Sequence, residues 1–241
     1  MLRLVSFDLL HTLILLRHPI HVAYARAFEP FLGPLDPQAI KASFGPALRK
    51  LQTEKPLYGG DTTQWWAQVI RETALGAGAN AQVLDASLDR IVSRLMKTFS
   101  SGEGYMARDN SIDVLHTLHH ELGLRTTVVS NADARMLSVL EDLGFPTTLT
   151  PVILSEVAGV EKPSREIFQL MLERVNAEMG QDIQPNECLH VGDDLECDYE
   201  GAHNAGMDAL LLHRPDEQTS VGEGVRDMKE MLDWIRERQS N

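Results

Sequence analysis

The sequence has few cysteines and no long apolar run, and both absences narrow the class of protein. Cys188 and Cys197 are the only cysteines among 241 residues, too few for a disulfide-rich secreted scaffold or a four-cysteine zinc site. No apolar run approaches the roughly 18 residues of a membrane-spanning helix. The carboxylate of Asp8 interrupts the first apolar stretch too early for a secretory signal peptide. We therefore expect a cytoplasmic protein that does not enter a membrane.

Basic residues are in the minority. The chain has 22 Lys and Arg against 35 Asp and Glu, a formal net charge of −13. Because neutralising phosphates requires clustered basic side chains, we expect neither nucleic acid nor an anionic membrane as a partner. An anionic small molecule is still compatible with this charge, if it meets a local cation or a bound divalent metal. A monomer and a homodimer are both left open.

Short apolar runs alternate with helical patterns in the second part of the chain. The runs predict buried strands at 2–7, 125–130, 151–154, 187–191 and 208–212. Between them, apolar residues recur at helical spacing, as at Ile167, Leu170 and Met171. This alternation is typical of βαβ units. It predicts an α/β fold with a Rossmann-like, doubly wound parallel sheet of about five strands, in which the first strand is central and the second and fourth are its neighbours.

The stretch from residue 16 to 100 has a different pattern. Helical periodicity over 21–31, 37–51, 63–75 and 81–99 is separated by Pro- and Gly-containing breaks. Thr62 or Thr63 is predicted to N-cap the third of these helices, with Asp61 favouring its positive end. We predict two domains: a Rossmann-like core of residues 1–15 and 101–241, and an inserted all-helical domain of residues 16–100.

Polar residues stand at the carboxyl ends of two predicted strands. Asp8 ends the first strand, and Ser130 and Asn131 end the second. Ligands of doubly wound sheets bind at this edge, where hydroxyl and backbone N–H groups can hold phosphoryl oxygens. Ordinary interpretations are also available, because Asp8 can cap a turn and Ser130, Asn131 or Asp133 can cap the following helix.

A lysine and an acidic cluster complete the candidate residues. Pro163 keeps Lys162 out of a helix, and its cation would offset repulsion between a strand-end carboxylate and an anionic substrate. A solvated surface lysine is the alternative. Asp193, Asp194 and Asp198 follow the fourth strand, and carboxylates this close repel unless a cation joins them. Hard oxygen ligands favour Mg²⁺, although an acidic turn is a structural alternative.

Taken together and in order, these residues resemble the four motifs of the haloacid dehalogenase (HAD) superfamily of hydrolases. The motifs are carried by Asp8, by Ser130, by Lys162, and by Gly192-Asp193-Asp194 with Asp198. The resemblance extends over nearly the whole chain, and the helical insertion resembles the C1-type cap of the superfamily. Arg17-His18-Pro19 and Gln64-Trp65-Trp66 are similar to the eukaryotic HAD-like hydrolase domain-containing subfamily.

The resemblance implies an enzyme with a carboxylate nucleophile and a metal. Asp8 would attack the substrate and form an aspartyl-enzyme intermediate. Asp8, Asp193 and the backbone carbonyl of Leu10 would hold Mg²⁺. Asp194 and Asp198 would orient the ligands and waters.

The resemblance also implies a small phosphorylated metabolite as substrate. Ser130, Asn131 and Lys162 would bind its phosphoryl group, and Ser130 and Lys162 would take part in catalysis. The chain departs from the family at Leu10, where the phosphatases carry a second Asp as general acid/base. Leucine cannot move a proton, and losing a positioned acid/base forfeits about 10²–10⁴ in rate. His11 is a candidate replacement.

Three functions therefore stay open. The first is a Mg²⁺-dependent, phosphatase-like hydrolase whose general acid/base catalysis is reduced or uses an unusual residue. The second is a catalytically weakened protein that keeps the fold for binding or regulation. The third is a dehalogenase-type hydrolase, because a halide leaving group needs no proton; the acidic cluster argues against it.

Overall fold

The chain divides into two compact units. The computed structural model describes residues 1–213 and 223–240. The first unit consists of Met1–Leu15 and Ala107–Asn241, and the second of Leu16–Met106.

Most of the strands form one parallel sheet in the first unit. The strands are β1 (Leu4–Phe7), β2 (Ile14–Leu16), β3 (Tyr105–Ala107), β4 (Arg125–Ser130), β5 (Leu149–Leu154), β6 (Cys188–Gly192), β7 (Asp208–Leu212) and β8 (Gly224–Val225). Six of them pair in the order β5-β4-β1-β6-β7-β8, with each neighbouring pair parallel. β2 and β3 form a separate two-stranded sheet.

This topology confirms the predicted Rossmann-like α/β fold. β1 lies between β4 and β6, as expected for the first apolar run. The sheet has six strands rather than about five, because β8 adds a two-residue strand next to β7. A run this short has no measurable period, so it is defined by its pairing and not by its sequence pattern.

The helices connect the strands and build the second unit. They are α1 (Ile20–Leu32), α2 (Pro37–Glu54), α3 (Thr62–Gly76), α4 (Ala81–Thr98), α5 (Ser111–His120), α6 (Arg135–Asp142), α7 (Ser155–Ala158), α8 (Arg165–Met179), α9 (Gly201–Asn204) and α10 (Met228–Ser240). A short turn with left-handed backbone lies at Pro56–Gly60, a 3₁₀ turn at Pro185–Glu187, and a π-helical turn at Leu195–Glu200.

The second unit is a set of four helices, α1 to α4. Trp65 of α3 packs with Ala47 and Leu51 of α2 in a buried apolar cluster. The predicted caps of α3, Thr62 or Thr63, were wrong. The helix begins at Thr62, one residue earlier than its apolar pattern indicated, so Asp61 occupies the cap and its carboxylate accepts a hydrogen bond from Gln64 N at 3.0 Å.

The core of the first unit lies between the sheet and its helices. Phe168 and Met171 of α8 are fully buried and pack with Leu4 and Val129 of the sheet. Because all the strands of this sheet are parallel, their carboxyl ends meet at one edge. The candidate functional residues lie at that edge, at the ends of the strands and in the loops that follow them.

None of the helices in residues 1–213 and 223–240 combines the length and the apolar character needed to span a membrane.

Candidate active site

Three strands deliver polar residues to the carboxyl edge of the sheet. Asp8 follows β1, Ser130 ends β4 and Asp193 follows β6. The backbone N–H of Asp8 donates to the carbonyl of Val191 at 2.9 Å, which extends the β1–β6 pairing to the nucleophile candidate. Since β1 is flanked by β4 and β6, the three residues converge at this edge.

Lys162 links two of the carboxylates. It lies in the turn between α7 and α8, is 3% exposed, and therefore is not a solvated surface lysine. Its Nζ lies 2.7 Å from Asp8 Oδ1 and 2.6 Å from Asp198 Oδ1. Burial opposes the charge of this ammonium, but attraction to Asp198 and Asp8 outweighs it and raises the pKa of Lys162. The side chain therefore stays cationic beside the candidate nucleophile.

Asp198 has three polar neighbours that hold its carboxylate. Its Oδ1 accepts from Lys162 Nζ and lies 3.1 Å from His190 Nε2, while its Oδ2 accepts from Asp194 N at 3.0 Å. Burial by itself would raise the pKa of Asp198. The Lys162 ammonium and the contact with His190 outweigh burial, so the pKa of Asp198 is lowered and the carboxylate stays ionised.

Asp8, Asp193 and Asp198 form a group of oxygen donors. One carboxylate oxygen from each lies within 4.8 Å of the others, and Thr12 Oγ1 donates to Asp193 Oδ1 at 3.5 Å. An all-oxygen set of this kind fits Mg²⁺. Both oxygens of Asp198 already accept hydrogen bonds, one from Lys162 Nζ and the other from Asp194 N.

Asn131 and Asp194 shape the loops around Lys162. Asn131 Oδ1 accepts from Lys162 N at 2.7 Å, and Asn131 Nδ2 donates to Lys162 O at 2.8 Å, so this side chain holds the main chain of the lysine. Asp194 Oδ1 accepts from Cys197 N at 2.8 Å and caps the π-helical turn. The capping alternative does not apply to Ser130 and Asn131, because α6 begins at Arg135, whereas Asp133 Oδ1 accepts from Arg135 N at 3.1 Å.

The loop after Asp8 is tightly turned. The carbonyl of Leu9 accepts from the N–H groups of Thr12, Leu13 and Ile14, and His11 has a left-handed backbone with φ 65°. Leu10 turns an apolar side chain toward solvent, 37% exposed. An apolar group therefore stands at the position for which the resemblance implied an acid.

Arg108 makes hydrogen bonds to this loop that the sequence pattern did not indicate. Its guanidinium donates to His11 O at 2.6 Å and to Arg226 O at 3.2 Å, and its N–H donates to Leu13 O at 2.9 Å. Burial lowers the pKa of Arg108, although attraction to Asp193 opposes this shift. Arg108 thus holds the backbone that includes the Leu10 carbonyl.

Ser6 and His190 form a second contact that the sequence pattern did not indicate. Both are polar residues inside apolar strands, and both are fully buried. Ser6 Oγ lies 2.8 Å from His190 Nδ1. Burial lowers the pKa of His190, while the hydrogen bond to Asp198 opposes this shift. A polar residue in a buried strand is the one signal that could have drawn attention to either.

The fold and the four motifs together define a HAD-type hydrolase, and comparison with known proteins agrees. A family model described as haloacid dehalogenase-like hydrolase matches residues 2–206. The chain therefore belongs to the haloacid dehalogenase-like hydrolases. It is 35% identical over 231 residues to human "Haloacid dehalogenase-like hydrolase domain-containing protein 3", covering 94% of this chain and 86% of the human protein.

Solved structures share the same fold. The HAD-hydrolase YfnB from Bacillus subtilis, described as bound to magnesium, aligns with a TM-score of 0.72 and 21% identity, covering 98% of this chain and 99% of YfnB. L-2-haloacid dehalogenase from Xanthobacter autotrophicus, with chloropropionic acid covalently bound, aligns with a TM-score of 0.69 and 15% identity, covering 98% and 99%. At these identities the likeness supports the fold.

Proposed function

We propose that the protein is a Mg²⁺-dependent, phosphatase-like hydrolase that acts on a small phosphorylated metabolite through an aspartyl intermediate on Asp8. The observation that carries the proposal is the buried Lys162 ammonium, 2.7 Å from Asp8 Oδ1 and 2.6 Å from Asp198 Oδ1. A carboxylate can attack an anionic phosphoryl group only if that group's charge is offset. Lys162 supplies one fixed positive charge for this purpose.

The proposal includes a metal at the acidic group. Asp8, Asp193 and the backbone carbonyl of Leu10 would hold Mg²⁺, and their oxygen chemistry fits this ion. When bound, Mg²⁺ offsets charge on the phosphoryl oxygens during transfer. Asp194 and Asp198 act by orientation, since one caps the loop and the other holds Lys162.

The proposed reaction has two displacement steps. A carboxylate oxygen of Asp8 attacks phosphorus, and the bond from phosphorus to the leaving oxygen breaks with its electron pair on that oxygen. Water then attacks the phosphorus of the aspartyl phosphate, the bond to Asp8 breaks, and inorganic phosphate is released. Lys162, whose Nζ carries three hydrogens, directs two at carboxylates and offers the third to a phosphoryl oxygen.

Ser130 and Asn131 complete phosphoryl binding in this proposal. The Ser130 hydroxyl, at the end of β4, donates to a phosphoryl oxygen. Asn131 contributes through its backbone N–H, because its side-chain amide is engaged with the main chain of Lys162. We propose in addition that residues 16–100 form the inserted cap domain, with the core in residues 1–15 and 101–241.

The leaving group is restricted by Leu10. A leucine cannot protonate a departing alkoxide, so substrates whose leaving group departs as a stable anion are favoured. Acyl phosphates and phosphoanhydrides have this property. The same observation favours the second candidate function, a weakened protein that binds phosphorylated ligands or regulates a partner.

A substrate panel separates these functions. Acetyl phosphate, p-nitrophenyl phosphate, glycerol 3-phosphate and 2-chloropropionate are tested with Mg²⁺ and with EDTA, against Asp8→Asn as a matched variant that lacks the nucleophile. Phosphate release that requires both Mg²⁺ and Asp8 supports the proposal. Chloride release in EDTA identifies a dehalogenase. No release of either product, with Mg²⁺-dependent binding of inorganic phosphate, identifies the binding protein and overturns the proposal.

A further inference from the structure

A chain of buried hydrogen bonds runs from β1 through β6 to the proposed active site. Ser6 Oγ is 2.8 Å from His190 Nδ1, His190 Nε2 is 3.1 Å from Asp198 Oδ1, and Asp198 Oδ1 is 2.6 Å from Lys162 Nζ. The four residues are between 0% and 3% exposed. Bulk water therefore does not compete for these contacts.

The sheet sets the first contact of this chain. Ser6 of β1 and His190 of β6 are directly paired in the parallel register, so their side chains lie on the same face. The ring of Phe168 meets the imidazole edge to face, with centroids 5.1 Å apart and an interplanar angle of 81°. The imidazole is thus held between a strand neighbour and an aromatic ring.

The direction of each hydrogen bond follows from the available hydrogens. The Ser6 hydroxyl has one hydrogen, and His190 Nδ1 at 2.8 Å is a closer acceptor than Leu189 O at 3.4 Å. If Nδ1 accepts, the imidazole hydrogen is on Nε2, where it can be donated to Asp198 Oδ1. The opposite neutral tautomer would place two acceptors, Nε2 and a carboxylate oxygen, 3.1 Å apart.

We propose that Ser6 and His190 are positioning residues, which orient the carboxylate of Asp198 and through it place Lys162 against Asp8. Asp198 cannot rotate without breaking its contacts with His190 and with Asp194 N. A neutral imidazole adds a donor without adding a second cation that would compete with Lys162 for the same oxygen. The kinetic part of this inference rests on the proposed function.

The hydrogen-bond direction can be measured without any substrate. Protein labelled with ¹⁵N-histidine is examined at pH 7.5 by two-bond ¹H–¹⁵N correlation spectra, with His190→Gln used to assign the signals. We expect His190 as the neutral tautomer with hydrogen on Nε2 and not on Nδ1. An imidazolium, or a hydrogen on Nδ1, overturns the inference whatever the protein hydrolyses.

Kinetics with acetyl phosphate and Mg²⁺ test the positioning role. His190→Leu removes the donor to Asp198, whereas His190→Gln keeps an N–H group at the end of a similar side chain. A hydrogen bond to a charged group is worth about 10- to 100-fold in an equilibrium, so we expect kcat to fall by about that factor in His190→Leu, with a smaller change in KM. His190→Gln should recover most of the loss.

Thr127→Val is the matched control. Thr127 of the neighbouring strand β4 pairs with Ser6 in register and is also fully buried, but its hydroxyl donates to the carbonyl of Pro151, which is not a member of the chain that ends at Lys162. We expect this variant to keep the wild-type kcat even if its stability falls. If His190→Leu does not fold, Ser6→Ala is used instead, with a smaller loss of kcat expected.

The outcomes separate the inference from the proposed function. Wild-type kcat in His190→Leu, or a His190→Gln variant no better than His190→Leu, overturns the positioning role. If the wild-type protein does not hydrolyse acetyl phosphate, the proposed function fails. The inference is then decided by the tautomer and by calorimetry of inorganic phosphate with Mg²⁺, whose affinity should fall in His190→Leu and recover in His190→Gln.

Discussion

The carboxylate of Asp198 lies against the α-carbon of Gly192, in the space that a side chain at position 192 would occupy. A β-carbon there would collide with Cγ and Oδ2 of Asp198. Glycine is therefore needed at the end of β6 because of this close approach. The same carboxylate accepts the hydrogen bonds from Lys162 and His190. Glycine at position 192 therefore leaves room for Asp198, and Asp198 in turn positions Lys162.

Gly192→Ala should disrupt this arrangement. The added methyl group has to displace the Asp198 side chain, and Lys162 then loses one of its two carboxylates. We expect kcat on acetyl phosphate to fall by about 10-fold or more, as for loss of a hydrogen bond to a charged group, and a lower midpoint of thermal unfolding. Gly45→Ala in α2 is the control, because the atoms nearest to its β-carbon belong to the movable Arg49 side chain. Wild-type kcat in Gly192→Ala would contradict the role given to Asp198.

Leu10→Asp should restore an acid to the site. The gain in kcat should be small for p-nitrophenyl phosphate and up to about 10²–10⁴ for glycerol 3-phosphate, because only the alkoxide needs a proton in the transition state. Leu10→Asn has a similar shape and cannot transfer a proton, so it should show no such gain.

His11→Ala completes this test. If His11 has taken over the acid role, its loss slows hydrolysis of the alkyl phosphate in the wild-type background. Equal wild-type rates on alkyl and activated phosphates, together with an unaffected His11→Ala variant, would refute the idea that the acid is missing.

Asp193→Asn should weaken Mg²⁺ binding strongly. The substitution removes the charge of one of the two carboxylates that we propose as ligands, both members of the group of three. Titration calorimetry of the substrate-free protein with MgCl₂ measures the affinity directly. Asp194→Asn is the control, because Asp194 is exposed and outside the group of three carboxylates, and its effect should be much smaller. An unchanged affinity in Asp193→Asn would place the metal elsewhere.

Acidification should destabilise the protein in part through His190. Burial lowers the pKa of His190, whereas an unfolded histidine titrates near about 6.5. The unfolded chain therefore binds the proton more readily, and the stability from His190 is present above about pH 6.5 and is lost as the pH falls. In EDTA, the midpoint temperature of thermal unfolding should fall between pH 7.5 and pH 5.5. We expect this fall to be smaller in His190→Gln than in wild type. The exposed His18, replaced by Gln, is the control, and equal drops in all three proteins would contradict this prediction.

Local patterns in the sequence predicted much of the fold. The apolar runs at 125–130 and 208–212 coincide with β4 and β7, and the alternation of runs and helical patterns predicted the parallel sheet. The strands β2, β3 and β8 have only two or three residues. Their existence depends on backbone pairing with a partner strand, which no local period records.

The sequence also determined the order of the chemical groups. Because Asp8, Ser130 and Asp193 each stand at the carboxyl end of a predicted parallel strand, one edge of the sheet was the expected place for all three. Helix ends were harder to predict, as Asp61 shows, because neighbouring Asp and Thr residues are all good caps and the backbone decides which of them stands at the boundary.

Tertiary structure alone decided which groups touch. The contact of Lys162 with Asp8 joins residues 154 positions apart, and that of Ser6 with His190 joins residues 184 positions apart. Sequence periodicity tells which face of an element a residue occupies, but it contains no distance to another element. That distance is set by strand register and core packing, which here bury Lys162 between two carboxylates and place a histidine behind one of them.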